Sequence, residues 1–307
     1  PRLYTCTVHV KEGMALVNFI VLGEIRSGAW AITSALNTHP RLICHDQIIN
    51  HPDTQKRVMA HYSYFGHDST DRPYGYHKYE TGPASPVWAH PYYSSKTDPV
   101  WVELDPLLGN YIENTLFKTT VNGETHAGAR ISLKTVEETR IEDAIRSWGI
   151  AGTAAIIYVD RNPFDCYVSY QQAKQFSRWA SSTKKICIPV RLDVEECNAF
   201  VHNALARRDR LLSTIHQATG DYCLIQYRWL FDREGMIDIL ADYLRIDAQG
   251  FGITDTAAIH PYPIKKRVSN YDILRTKCSS TVRELMDISA SEDDIFFSTA
   301  TNKRMVL

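Results

Sequence analysis

The chain has 307 residues, enough to bury a sizeable core as one large α/β domain or two small ones. Its 44% hydrophobic and 22% charged content is that of an ordinary globular protein, and a formal net charge of −1 offers no global attraction to nucleic acid or to an anionic membrane. Seven scattered cysteines with no CxxC pair argue against a zinc site or a disulfide framework and for a reducing, cytoplasmic compartment.

The longest apolar run, MALVNFIVLG, has about half the ~20 residues a membrane span needs. Residues 17–23 within it are rich in β-branched side chains, the pattern of a strand buried on both faces. The sequence opens on Pro1 rather than Met, which leaves a removed targeting segment open. A tight turn, Gly23–Glu24–Ile25–Arg26–Ser27–Gly28, leads into a helix from Ser27 to about Thr38, stopped by His39–Pro40. RLICHD (41–46) reads as a second strand. An irregular insertion at about 47–125 follows, with a possible helix near 53–64 and nine Tyr, Phe or Trp residues from Tyr62 to Tyr93. Those aromatics suit either stacking on an acceptor ring or the core of the insertion itself.

Downstream, RISLKTV (130–136) reads as a strand and RIEDAIRSWG (140–149) as a helix ending at glycine. TAAIIYVD (153–160) is a second buried strand, and a helix runs from about Cys166 to Trp179. A long helix covers 193–217, DYCLIQY (221–227) is a strand, and 233–246 an amphipathic helix. The tail, 260–307, is basic around Lys265–Arg267 and mostly helical or irregular. Alternating strands and helices predict a single α/β domain: a P-loop-like parallel sheet of about five strands, helices on both faces, and ligands beyond the carboxyl ends of the strands.

Two corners suit anions. In the first, the amides at the start of the helix after Gly28 and the guanidinium of Arg26 could hold a phosphate; a plain strand–helix turn fits equally. It is not the GxxxxGK[ST] loop of nucleoside triphosphate sites, because Ala29–Trp30–Ala31 follows Gly28. In the second, YVDRNPFDCYVSY (158–170), Arg161 ends a buried strand and Ser169 falls about two turns into the next helix, after Asn162–Pro163. Arginine and serine can converge there on a second anion.

RSGAWAITSALNTHP resembles the 5′-phosphosulfate loop of sulfotransferases that use 3′-phosphoadenosine 5′-phosphosulfate, a loop of the form RSGSTLL…LNSHP. RNPFDCYVS resembles their 3′-phosphate motif, and RNPFDCYVSYQQAKQFSRW (161–179) is similar to the bacterial trehalose-type group. ISLKTV, CLIQYRWLFD (223–232) and KKRVSNYDIL (265–274) resemble further segments of that group, the last its basic tail closing over the nucleotide. The resemblance implies transfer of a sulfuryl group to a hydroxyl of a carbohydrate or other small molecule, leaving adenosine 3′,5′-bisphosphate, without a metal. It implies a donor site of Arg26, Ser27, Gly28, Ala29, Trp30, Arg161, Ser169, Lys265, Lys266 and Arg267. Arg26 would also stabilise charge on the leaving phosphate, and a homodimer is left open.

Two departures stand out. Ala29 and Trp30 lack the hydroxyls the family places there; Trp30 is expected in the core, with the cofactor pocket as the alternative. The family's general base is a glutamate after the second strand, where this chain has His45 and Asp46, so either would take the acceptor's proton. These departures motivate a rival reading, a catalytically degenerate binding or structural subunit of the same fold. A nucleotide kinase is disfavoured by the missing lysine.

Other candidates are weaker. His39, His45 and His51 recur at six-residue steps across a helix end, strand and loop, which is not metal-ligand spacing. Ser34, Ser169 and His202 form no triad pattern, as GxSxG is absent. Lys134 would reach a sulfate or simply end a strand. Lys265, Lys266 and Arg267 are either a solvated charge run or a lid.

Overall fold

The computed structural model describes residues 18–49, 126–133, 138–151, 154–176, 188–220, 222–230, 233–252 and 262–291. Most of the insertion, including the helix near 53–64 and the aromatics of 62–93, lies outside the described residues, as does Lys134.

The strands are β1 (Asn18–Gly23), β2 (Leu42–Ile49), β3 (His126–Ser132), β4 (Ala155–Asp160) and β5 (Cys223–Gln226). They form one sheet in the order β2-β3-β1-β4-β5, with β2–β3, β3–β1 and β1–β4 paired in parallel. The helices are α1 (Ala29–Leu36), α2 (Glu138–Ala151), α3 (Pro163–Phe176), α4 (Val194–Thr219), α5 (Arg233–Leu244), the single turn α6 (Ile264–Arg267), α7 (Tyr271–Lys277) and α8 (280–291).

The chain divides into two compact units. The first holds the sheet. Because side chains alternate along a strand, Ile20 and Leu22 of β1 join Ile131, Ile156 and Tyr158 on one face, under Ile141, Ile145 and Trp148 of α2 and Leu211 and Ile215 of α4. Phe19 and Val21 join Ile157 and Val159 on the other, under Ile32 and Leu36 of α1 and Leu240 and Leu244 of α5. The sheet is thus covered on both faces, as expected of strands that are continuous apolar runs.

The second unit comprises Glu24–Ser27, Asp160–Arg210 and Ala257–Leu307. Its core gathers Phe164, Tyr167 and Val168 of α3, Cys197 and Val201 of α4, and Tyr271, Leu274 and Met286 from the tail. The Asn270 amide clamps the backbone of Leu192, donating to its carbonyl at 2.8 Å and accepting from its N–H at 3.0 Å. Val190 and Val268 form an isolated parallel bridge alongside.

Several boundaries differ from expectation. β3 begins at His126 rather than 130, because in-register pairing of Asn18 with Ala127 and Phe19 with Gly128 overrides the weak strand propensity of Ala and Gly. A Cβ at Gly128 would run into the Phe19 ring, so only glycine fits that pairing. α2 passes through Gly149 to Ala151. α3 starts at Pro163, not Cys166: proline suits the first helical position, and the Asn162 side chain accepts from the Phe164 N–H at 3.0 Å. β2 continues to Ile49, past the expected start of the insertion, with a register shift between His45 and Ile49.

Candidate anion-binding site

The site is built within the second unit by the four residues that follow β1 and by the segment that follows β4. Glu24–Ser27 form a tight turn closed by Ser27 N–H donating to the Glu24 carbonyl at 3.0 Å. The third residue of that turn is Arg26, at φ 68°. A left-handed backbone is costly for a side chain with a Cβ, so the surrounding contacts must hold it. Arg161 supplies one, donating from Nη1 to the Arg26 carbonyl at 2.8 Å. Ser169 supplies another, its Oγ accepting from Arg26 Nε at 3.1 Å.

Residues picked from two separate motifs therefore meet, with Arg161 and Ser169 each within hydrogen-bond distance of Arg26. Ser169 is buried in α3, about two turns from its start. Ser27 is 1% exposed, and among the described residues its Oγ has no hydrogen-bond partner. A buried hydroxyl left without a protein acceptor or donor costs stability unless a ligand or water completes it. Ser27 directly follows Arg26 in this turn.

The loop also contains a carboxylate that the sequence did not mark. Glu24 Oε1 accepts from the Ile25 N–H at 3.0 Å, and Oε2 accepts from Arg207 Nε at 2.9 Å and Nη2 at 2.7 Å. The side chains of this pair are 12% and 10% exposed. At the end of β4, Asp160 Oδ2 accepts from Arg208 Nη2 at 2.7 Å. Arg207 and Arg208 are consecutive residues of α4.

The basic tail splits. Lys265 and Lys266 are exposed, but Arg267 is buried and donates from Nε and Nη2 to Gln172 Oε1 at 3.3 and 3.0 Å. Arg267 is thus not part of a solvated charge run; the half-buried amide of Gln172 on α3 partners it, one turn along from Ser169.

The remaining residues named for the donor loop lie in the first unit. Gly28 caps α1 at φ 95°, and a Cβ there would come within 2.7 Å of Leu230 Cδ1. Ala29 is buried, whereas Trp30 is 46% exposed. The core expectation for Trp30 is therefore overturned: the buried positions of α1 are Ala29, Ile32, Thr33, Ala35 and Leu36, and Trp30 falls off that stripe. His45 and Asp46 belong to β2 by backbone; their side chains lie outside the described residues.

Burial pushes the Cys166 thiol well up, which removes it as a nucleophile. The described cysteines are buried and outside any disulfide, no three His, Cys, Asp or Glu side chains among the described residues gather as metal ligands, and no described helix is long and apolar enough to cross a membrane.

No protein-family model matches the chain, and no curated protein matches it. Among solved structures, it is similar to a sulfotransferase from Alicyclobacillus acidocaldarius at 15% identity and a TM-score of 0.43, over 91% of this chain and 93% of that one. It is also similar to sulfotransferase STF9 from Mycobacterium avium at 14% identity and a TM-score of 0.46, over 86% of this chain and 75% of that one.

Proposed function

We propose that the chain is a sulfotransferase that moves a sulfuryl group from 3′-phosphoadenosine 5′-phosphosulfate to a hydroxyl of a carbohydrate or other small molecule in the cytoplasm. The observation that carries this reading is the group of Arg26, Ser169 and Arg161, joined by hydrogen bonds of 3.1 and 2.8 Å, followed in the turn by Ser27, whose buried hydroxyl has no partner among the described residues. The donor, when bound, supplies an activated sulfuryl group and a 3′-phosphate.

The chain's own residues have distinct parts in this reading. Arg26 and Ser27 hold the 5′-phosphate side, where a fixed guanidinium favours the charge that grows on the departing phosphate. Arg161 and Ser169 hold the 3′-phosphate, and Lys265 and Lys266 add positive charge from the tail. Asp46, or His45 in its place, accepts the proton of the acceptor hydroxyl. No residue in this scheme has to ligate a metal.

A second reading, a subunit that has kept the fold and lost catalysis, draws on Ala29 and Trp30, which bring no hydroxyl to the loop. Isothermal titration separates the two. A working donor site binds adenosine 3′,5′-bisphosphate at least about tenfold more tightly than adenosine 5′-monophosphate, a difference of ~1.4 kcal/mol. Arg161→Ala erases that preference. A folded wild type that binds both nucleotides equally, or neither, removes the donor-site reading and leaves the degenerate subunit.

A further inference from the structure

Each arginine proposed to meet a phosphate is preceded by a carboxylate: Glu24 two residues before Arg26, and Asp160 immediately before Arg161. An acid so close to a polyanionic ligand opposes binding. The two carboxylates cancel the charges of Arg26 and Arg161, so on those four residues alone the site would be neutral. Arg207 and Arg208, consecutive on α4, bind Glu24 and Asp160 respectively. Consecutive helical residues diverge by about 100°, which lets one helix reach both carboxylates.

We infer that Arg207 and Arg208 are positioning residues for the anion site: they offset its two carboxylates, and Arg207 holds the turn that carries Arg26. The inference rests on the donor-site reading given above. Its geometric part stands on the Glu24 carboxylate, whose two oxygens have separate tasks. One holds the Ile25 N–H inside the turn; the other is held by two donors of the Arg207 guanidinium. With the carboxylate clamped, Ile25 is pinned, the Ser27-to-Glu24 closure is kept, and Arg26 stays at its left-handed φ of 68°. α4 is a suitable anchor, because 26 residues of continuous helix begin at a capped end, where Asp193 Oδ1 accepts from the Glu195 and Glu196 N–H groups at 2.9 Å. Neither arginine needs to touch the ligand.

Two readouts test this on the full chain: titration with adenosine 3′,5′-bisphosphate, and hydrogen exchange of the Ile25 amide without ligand. Arg207→Gln should weaken binding roughly 10- to 100-fold, the scale of losing one hydrogen bond from Arg26 to a charged ligand, and should speed Ile25 exchange. Glu24→Gln combined with Arg207→Gln should recover part of the affinity, since the uncompensated charge is gone, while Ile25 exchange stays fast. Arg207→Lys keeps the charge but not the two-donor grip, so it serves if the glutamine variant does not fold; it should speed exchange and weaken binding less. Unchanged affinity and unchanged Ile25 protection in folded Arg207→Gln or Arg207→Lys overturn the inference. If the wild type binds no bisphosphate, the donor reading falls and the charge part with it. Ile25 exchange alone then decides the loop-holding part, faster exchange supporting it and unchanged exchange overturning it.

Discussion

Arg26 and Ser169 are joined by a 3.1 Å hydrogen bond across 143 residues of sequence, and Arg26 makes it from a backbone at φ 68°. Strain of this kind persists where the surroundings over-determine it, and it concentrates at functional sites. Here the strained residue is the one on which the proposed anion site depends.

Replacing Arg26 by glycine separates fold from function. Glycine adopts a positive φ freely, relieving about 1–2 kcal/mol of backbone cost, while the charged hydrogen bond to Ser169 is lost at about 1.5–3 kcal/mol before solvent screening of a half-buried group. The terms nearly offset, so the urea midpoint of Arg26→Gly should lie close to that of wild type. Affinity for adenosine 3′,5′-bisphosphate should fall at least about tenfold. A variant that loses stability and keeps its affinity would show Arg26 to be structural only.

Ser169→Ala probes the same contact from the other side. Ser169 is 2% exposed, so no solvent replaces its hydroxyl. The expected loss is ~1–2 kcal/mol of ligand affinity, close to tenfold, with a smaller effect on folding. Calorimetric titration beside a thermal melt reads both; equal affinity in the alanine variant would exclude Ser169 from the site.

The pH dependence of stability should come from the first unit. His39 Nδ1 accepts from the Arg41 N–H at 3.1 Å, and its Nε2 lies 3.1 Å from the Asp247 carbonyl, so the ring is neutral with its proton on Nε2. Burial lowers its pKa first, and Arg41 adds to this against the raising influence of Asp247. His126 is lowered by burial, then by Arg41 and His39. Both residues bind protons more readily unfolded than folded. Stability from them is therefore full above the ordinary value of 6.5, falls as pH drops through 6.5, and stops falling below the folded-state pKa values. Urea midpoints between about pH 8 and pH 5 should decline on the acid side, and less steeply in His39→Gln; a slope unchanged by that substitution would place the effect elsewhere.

What could be read from the sequence followed from local chemistry. VNFIVLG could hardly be anything but a buried strand, and Arg26 and Arg161 stood out because each follows a strand and precedes a helix, with Ser169 two turns into the second of those helices. Glu24–Arg207 was invisible because its partners are 183 residues apart and a double arginine in a long helix looks like a solvated face. Trp30 misled for a different reason. Its hydrophobicity argued for the core, but the eight residues of α1 bury the stripe through Ala29, Ile32 and Leu36, and the tryptophan falls outside it. β3 shows the converse: register with β1 and β2 extends it over His126–Gly128, where residue propensities alone would not.

Gly28 offers a test in which two causes can be told apart. It sits at φ 95°, and an added Cβ would approach Leu230 Cδ1 to 2.7 Å and Tyr227 Cδ2 to 2.8 Å. Gly28→Ala should therefore cost backbone strain of about 1–3 kcal/mol and overpacking of a similar ~1–3 kcal/mol, giving a markedly lower urea midpoint. Gly28→Asn discriminates between them, because asparagine tolerates a positive φ better than alanine yet needs more room. If backbone strain dominates, the asparagine variant will be the more stable of the two. If the packed ring and leucine dominate, it will be the less stable, and Leu230→Ala should then rescue Gly28→Ala in part by opening the space that the Cβ needs.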